Sequence, residues 1–413
     1  MTSVPVYQQL RPDANFTYKL IQLPPNLLSH LSFGDCNAKY LDLKTKPINP
    51  NAAPSSDDSE GDTVVVCTRD STFKLRQNNH SNCVLLMNQR RINHDQRDGD
   101  NGDRNEDAEA LMGFSRSNYV YELTQIPGSI LDILPEYNNR QNGATQLGKK
   151  FMSRNKLAEL SPCSPTEFDK IYIDSCLCEI TNENNDKFVY KLTQNVISQI
   201  LHTFITYLIS ESKQTQSFTI DKLTLHCNVA FKSWQPSMID AVIFKFTICA
   251  REDSQNRPNP TVTNDGLLPG PLRLHDDAIT RWFGIQELSK LAHSFGTPTT
   301  VADFLLNWKT ALPSFYNVPL DIVQLRGHYY TANTTNTTNS SSQLVYFINQ
   351  SSLSRDVATR FKQLLTIQSN WKYDEFVACL QPVLEHGKKV DTVILKYGKK
   401  KRVKRDQFVV CGR

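Results

Sequence analysis

The sequence has no run of about 18 apolar residues, which excludes a membrane-spanning helix. Its opening residues, Met1 to Arg11, show neither the basic nor the apolar stretch of a secretory leader, so export is not expected. Catalytic signatures are missing as well. No G-x-x-x-x-G-K-[ST], H-E-x-x-H, G-x-S-x-G or G-x-G-x-x-G occurs, which removes the usual residues of phosphate-loop, zinc-protease, serine-hydrolase and dinucleotide chemistry. Cys176 and Cys178 are spaced too closely for a zinc knuckle or redox pair, and His80, His226, His275 and His293 are isolated. The chain therefore reads as a non-enzyme that needs no cofactor or metal. Its ten cysteines are scattered, mostly through apolar runs, and read as reduced, buried small hydrophobes. With sequons at Asn15, Asn333, Asn336 and Asn339 left unused, the expected compartment is cytosol or nucleus.

What is present is an uneven distribution of charge. The chain sums to +4, yet Lys388 to Arg405 carries nine lysines and arginines against one acid, Asp391, so that stretch is +8 and the remainder is mildly acidic. A cationic element on an acidic chain addresses nucleic acid, an acidic partner or an import receptor. The tract Lys399-Lys400-Lys401-Arg402-Val403-Lys404-Arg405 has three readings: a nuclear localisation patch, a set of phosphate contacts, or a solvated hairpin. About four phosphate contacts would give a log-log salt slope of roughly −4 and no base selectivity. Trp371 and Tyr397 fall where a small helical module needs core, so they are read as core rather than base-stacking platforms.

At 413 residues the chain exceeds one ordinary core and should be modular. Short β-type runs at Thr17–Leu23, Ala38–Lys44, Thr63–Thr68, Ser71–Arg76, Cys83–Met87 and Asn118–Leu123, with a hairpin turn at Thr68–Ser71, predict an antiparallel barrel or sandwich over residues 1–142. Two polar segments, Pro47–Asp62 and Asn93–Glu109, read as loops. Helices then alternate with short strands, giving candidate modules at 143–275, 276–352 and 353–413. Helices are expected at Phe168–Cys176, Asn195–Ile209, Ile285–Phe295, Val301–Ala311 and Leu320–Gly327, and strands at Lys187–Leu192 and Leu344–Ile348, with a wing-like loop at Thr331–Ser342. In the last module Phe361, Leu364 and Leu365 mark one helix and Phe376 to Leu384 a second, ended by Gly387. A third, capped by Asp391 or Thr392, leads into the cations, and Gln407–Cys411 returns as a strand. That order is the plan of a winged helix. The fold class expected is α+β.

Several segments together resemble a known family. Tyr18–Leu23, Cys67–Leu75, His80-Ser81-Asn82 before Leu85–Met87, and Gly113-Phe114-Ser115 before Tyr119–Leu123 are similar to the "defective in sister chromatid cohesion" subunit of the alternative, cohesion-linked replication factor C. Trp282–Gln286, Phe304–Lys309, Leu325-Arg326-Gly327, Arg360-Phe361-Lys362, Trp371 and Lys396-Tyr397 resemble its fungal branch. The resemblance implies a non-catalytic nuclear subunit whose β part forms a composite barrel with the C-terminal tail of the large clamp-loader subunit and a small β protein. It implies tandem winged helices that bind single- or double-stranded DNA non-specifically and dock on the catalytic subunit of DNA polymerase epsilon. The sliding clamp, PCNA, would be reached indirectly, ATP hydrolysis would belong to partners, and no membrane would be involved. Carried onto this sequence, Lys396, Lys399 and Arg413 become the leading polymerase and DNA contacts, with Lys400, Lys401, Arg402, Lys404 and Arg405 beside them. A free-standing winged-helix transcription or chromatin factor is the rival reading, and an enzyme with an unrecognised site is a third.

Overall fold

The computed structural model describes residues 6–8, 17–32, 41–45, 64–92, 108–137, 150–182, 185–213, 217–219, 222–249, 271–292, 299–332, 343–354, 356–384, 389–404 and 407–412. It is a mixed α+β protein with several small sheets, and it divides into two units. One comprises Met1–Ser129 with Leu160–Glu167, the other Ile130–Glu159 with Phe168–Arg413.

The first unit is built on one open sheet. Strands β1 (Val6–Gln8), β2 (Ile21–Gln22), β3 (Asp42–Thr45), β4 (Val64–Cys67), β5 (Thr72–Ile92) and β6 (Ala108–Ile126) pair in the order β1-β6-β5-β4-β3, with β2 also on β6. Helix α1 (Pro25–Ser32) starts on a proline, where no amide partner is needed, and sets Leu27 against Val66, Phe73 and Leu123. The Thr68–Ser71 turn is closed by the Thr68 amide on the Ser71 carbonyl at 3.0 Å. Segment 160–167 is tied to the sheet through Glu167, whose carboxylate accepts from Thr72 Oγ1 at 2.5 Å, Ser164 Oγ at 2.7 Å and the Gly128 amide at 3.1 Å.

Two strands here are longer than their side chains suggest. The all-polar stretch Gln77–Asn82 separates two apolar runs in the sequence, yet β5 passes through it as one strand of 21 residues, shifting register between Asn79 and Val84. A backbone ladder pairs regardless of side-chain polarity, and Asn78 adds a 2.8 Å bond to Glu122 on β6. For the same reason β6 takes in Ala108 and Glu109, the end of a segment read as loop. The rest of that segment, and all of Pro47–Asp62, lie outside the described residues.

Helices α2 (Arg154–Leu160) and α3 (Pro165–Asp174) follow, and two of the hydrophobic clusters among the described residues lie in the second unit. Strands β7 (Glu136–Tyr137), β8 (Leu177–Thr181) and β9 (Lys187–Leu192) form a sheet ordered β7-β9-β8. Helix α4 (Gln194–Ser210) buries Val196, Ile197, Ile200, Leu201, Phe204, Ile205 and Leu208, the face its apolar period predicts. The first core is completed by α5 (Lys222–Cys227), α6 (Pro236–Phe246), the pair β10 (Thr247–Cys249) and β11 (Leu272–Leu274), α7 (Asp276–Leu291) and α8 (Val301–Ala311). Strands β12 (Thr299–Thr300), β13 (Tyr329–Ala332) and β14 (Leu344–Phe347) close it in the order β12-β14-β13. Of the wing-like loop, Thr331 and Ala332 belong to β13 and 333–342 lie outside the described residues.

Two helical expectations change here. Helix α7 begins at Asp276 rather than Ile285, because Asp276 and Asp277 suit a first turn and Gly284, a weak helix former, disguises its continuity. That glycine is a packing device: a Cβ there would stand 2.7 Å from both Leu325 and Trp308. Leu320–Gly327 is only a 3-10 turn at Ile322–Leu325, closed by a capping box between Asp321 and Gln324, and Gly327 breaks it at φ +93°.

The second core gathers Phe361, Leu364, Trp371, Phe376, Leu380, Ile394 and Val410. They come from α9 (Val357–Ile367), β15 (Asn370–Lys372), α10 (Tyr373–Leu380), α11 (Val390–Tyr397), β16 (Gly398–Lys404) and β17 (Gln407–Gly412), with sheet order β15-β17-β16. Helix α10 stops at Leu380, short of Leu384, since Pro382 turns the chain into a 3-10 segment at Gln381–Val383. Gly387 lies outside the described residues. Lys389, not Asp391 or Thr392, is the N-cap of α11, which frees the Asp391 carboxylate for another use described below. Burial of the cysteines is uneven: Cys67, Cys163, Cys176, Cys178, Cys379 and Cys411 are buried, whereas Cys83 and Cys227 are exposed and Cys36 is outside the described residues.

Candidate nucleic-acid and protein interface

The cationic tract forms β16, the edge strand of the last sheet. Residues paired across an antiparallel ladder project to the same face and successive residues alternate. The register therefore sorts the cations. On one face the exposed Asn370 and Lys399 flank the buried Cys411 in one row, and Lys372, Val409 and Lys401 form the next. Trp371, Val410 and Lys400 share the opposite, core-facing row, as do Phe408 and Arg402. Lys399, Lys401 and Arg402 are exposed, and so is Lys396 in the last turn of α11, where a cation complements the helix dipole. Lys404 pairs in backbone register with Gln407, while Arg405 and Arg413 lie outside the described residues.

Lys400 is placed differently from its neighbours. Its ammonium sits 3.8 Å from the Tyr373 ring centroid and 4.8 Å from that of Phe408, and donates to Asp391 Oδ1 at 3.1 Å. Tyr373 Oη donates to the same carboxylate oxygen at 2.9 Å. Burial works against the Lys400 charge, yet the hydrogen bond and attraction of Asp391 and Tyr373 prevail and hold its pKa above the ordinary value. The bonds from Lys400 and Tyr373 hold Asp391 below its own. Trp371 is fully buried and donates from Nε1 to the Leu364 carbonyl at 2.8 Å, so it is core as its spacing predicts; Tyr397 packs partly buried against the same core.

Buried polar contacts join the last module to the segments before it. Arg360, 3% exposed, donates Nε to the Cys379 carbonyl at 2.8 Å, a terminal N–H to the Ser354 carbonyl at 3.4 Å and another to Gln350 Oε1. Gln350 in turn donates to the Gly327 carbonyl, which also accepts from the Cys379 thiol. Glu375, also buried, accepts from the Thr331 amide at 3.0 Å and from its hydroxyl at 2.7 Å. Arg326 donates to Asp374 at 3.1 Å, and the Tyr330 ring stacks on Tyr346 and leans on Trp371. The segments Leu325-Arg326-Gly327, Arg360-Phe361-Lys362 and Trp371, far apart in sequence, thus meet at one junction. Lys372 joins the outward rows unannounced, because a three-residue strand leaves no periodic signal; its ammonium donates to Gln343 Oε1 at 2.6 Å.

These features define a class: a modular α+β protein whose distinctive chemistry lies on its surfaces, an open β sheet in one unit and a cationic hairpin in the other. The family model described as Sister chromatid cohesion protein Dcc1 matches residues 18–379. The chain belongs to that family, as the resemblance implied. It is 26% identical over 420 residues to the "Sister chromatid cohesion protein DCC1" of Saccharomyces cerevisiae, an alignment covering 95% of this chain and 96% of that protein. The family match ends inside α10, ahead of the cationic hairpin.

Proposed function

We propose that this chain is the non-catalytic adaptor of an alternative replication factor C clamp loader. Its β unit completes a composite barrel with the large subunit's C-terminal tail and a small β partner. Its helical modules, read as tandem winged helices, bring the loader to the catalytic subunit of DNA polymerase epsilon and to DNA. The role supports loading or unloading of the sliding clamp PCNA and sister chromatid cohesion in the nucleus, with ATP hydrolysis supplied by partners.

The observation that carries this reading is the state of the first sheet. Its described core is small, Leu27, Val66, Phe73 and Leu123 with Leu23, Leu31 and Leu75 packed on, while Val6 (59% exposed), Ile21 (52%) and Leu43 (71%) stay in water. Apolar side chains on a sheet whose end strands, β1 and β3, have a neighbour on one side only among the described residues suit strand addition by a partner, and burying each contributes about 1.5–3 kcal/mol. Phosphate and acidic-surface contacts fall to Lys396, Lys399, Lys401 and Arg402, with Lys404, Arg405 and Arg413 beside them.

The two surfaces are separable by affinity purification of the full chain with quantitative mass spectrometry. Leu43→Asp with Ile21→Asp is expected to lose clamp-loader subunits, and Lys396→Glu with Lys399→Glu to lose polymerase epsilon and DNA while keeping the loader. Loss of the loader in the lysine variant would refute the division of labour. Recovery of one DNA sequence and no loader by the unaltered chain would establish a free-standing transcription factor instead.

A further inference from the structure

We propose that Lys400 is not a phosphate contact but a positioning residue, the strut that fixes the cationic hairpin on the helical body so that Lys399 and Lys401 face outward. The inference deepens the DNA-binding reading and rests on it only for its second test. In sequence Lys400 is the middle of three identical lysines, indistinguishable from the other two. The ladder separates them: Lys400 shares its row with the fully buried Trp371 and Val410, whereas Lys399 and Lys401 belong to the outward rows. A lysine on the core-facing side has to bring its charge to the rim of that core. Here the rim is built for it, with Tyr373 from the start of α10, Asp391 from the first turn of α11 and Phe408 from β17. The ammonium touches two aromatic faces and one carboxylate, so three elements converge on a single side chain of a fourth.

The consequence is a division of roles inside one tract. A cation whose charge is already matched by Asp391 releases no condensed counterions when DNA arrives, while an exposed neighbour does. Holding β16 at its middle residue restricts the hairpin before binding, so the outward lysines lose less freedom on contact.

Two experiments on the full chain test this. In the first, limited acetylation with acetic anhydride is followed residue by residue by mass spectrometry, without DNA. Lys400 is expected to react at least about fivefold more slowly than Lys399 and Lys401, and at their rate once Tyr373→Leu and Asp391→Asn remove the cage. Equal rates in the unaltered chain would overturn the strut. In the second, binding to a fluorescent duplex is titrated over a salt series. Lys399→Met and Lys401→Met should each flatten the log-log salt slope by about 0.9. The charge-balanced pair Lys400→Met with Asp391→Asn, in which the methionine keeps the stem on the two rings, should leave that slope unchanged. A slope flattened by the pair as much as by Lys399→Met would assign Lys400 to the phosphates and refute the proposal. An unaltered chain that binds no duplex would refute the DNA reading alone, with the acetylation result standing apart from it.

Discussion

Replacing Arg360 by methionine isolates the buried polar network between the last module and the segments before it. Methionine retains much of the stem's volume, so the main loss is polar. The Cys379 carbonyl, 2.8 Å from Arg360 Nε, and the Ser354 carbonyl lose their donor, and Gln350 loses the guanidinium that orients it toward the Gly327 carbonyl. An unsatisfied buried acceptor costs about 1–3 kcal/mol, and a bond from a charged donor lies at the upper end of that range. Removing a charge that burial already disfavours offsets part of this, since Arg360 has its pKa lowered by desolvation. The net expectation is about 3 kcal/mol, or roughly 100-fold in the opening equilibrium of the last module. Hydrogen exchange with mass spectrometry on the full chain reads it directly. Peptides from α9 and α10 should exchange about 100-fold faster, while peptides from α4, in the other core of the same unit, keep their rates. Arg360→Lys should recover little of the loss, because the three acceptors are served from three separate nitrogens of the planar guanidinium and an ammonium's donors all radiate from one. A change below about threefold in α9 and α10 would refute the reasoning, showing that the network satisfies polar groups without stabilising the module.

Other outcomes follow from packing and from protonation. Gly284→Ala should destabilise the first core of the second unit by about 1–3 kcal/mol, read as a lower urea midpoint, because the new methyl meets Leu325 and Trp308 at 2.7 Å. Burial, with Arg281 nearby, holds His328 down at about 4 against an ordinary 6.5, so the unfolded chain binds the extra proton first and stability is lost as pH falls from 6.5 toward 4. His328→Gln should flatten that acid limb in urea midpoints taken across the window. Glu375 acts in the opposite sense: burial raises its carboxyl above 4.5, so its contribution is full below 4.5 and is lost as pH rises through the higher folded value. Glu375→Gln should remove this opposing trend and make the acid limb steeper.

Periodicity and local chemistry were enough for much of the architecture. Helix α4 and strand β9 lie where their apolar patterns place them, the Thr68–Ser71 turn closes as its residues suggest, and Trp371 is core. Those features are local: a helix face repeats every few residues and a turn spans four, so a short window contains the cause. The family, too, was legible from ordered segments spread along the chain. What no window contains is a contact between distant elements. Gly284 reads as a break until Trp308 and Leu325 are seen against it, and Gln77–Asn79 reads as part of a polar gap until Tyr119–Tyr121 of β6 pair with it. The cationic tract shows the division most plainly. Its charge and its place on a hairpin were written in the sequence, whereas the separate role of Lys400 was decided by the pleat of β16 and by Tyr373, Asp391 and Phe408 arriving from three other elements. Identical side chains differ only in what surrounds them, and surroundings are a property of the tertiary fold.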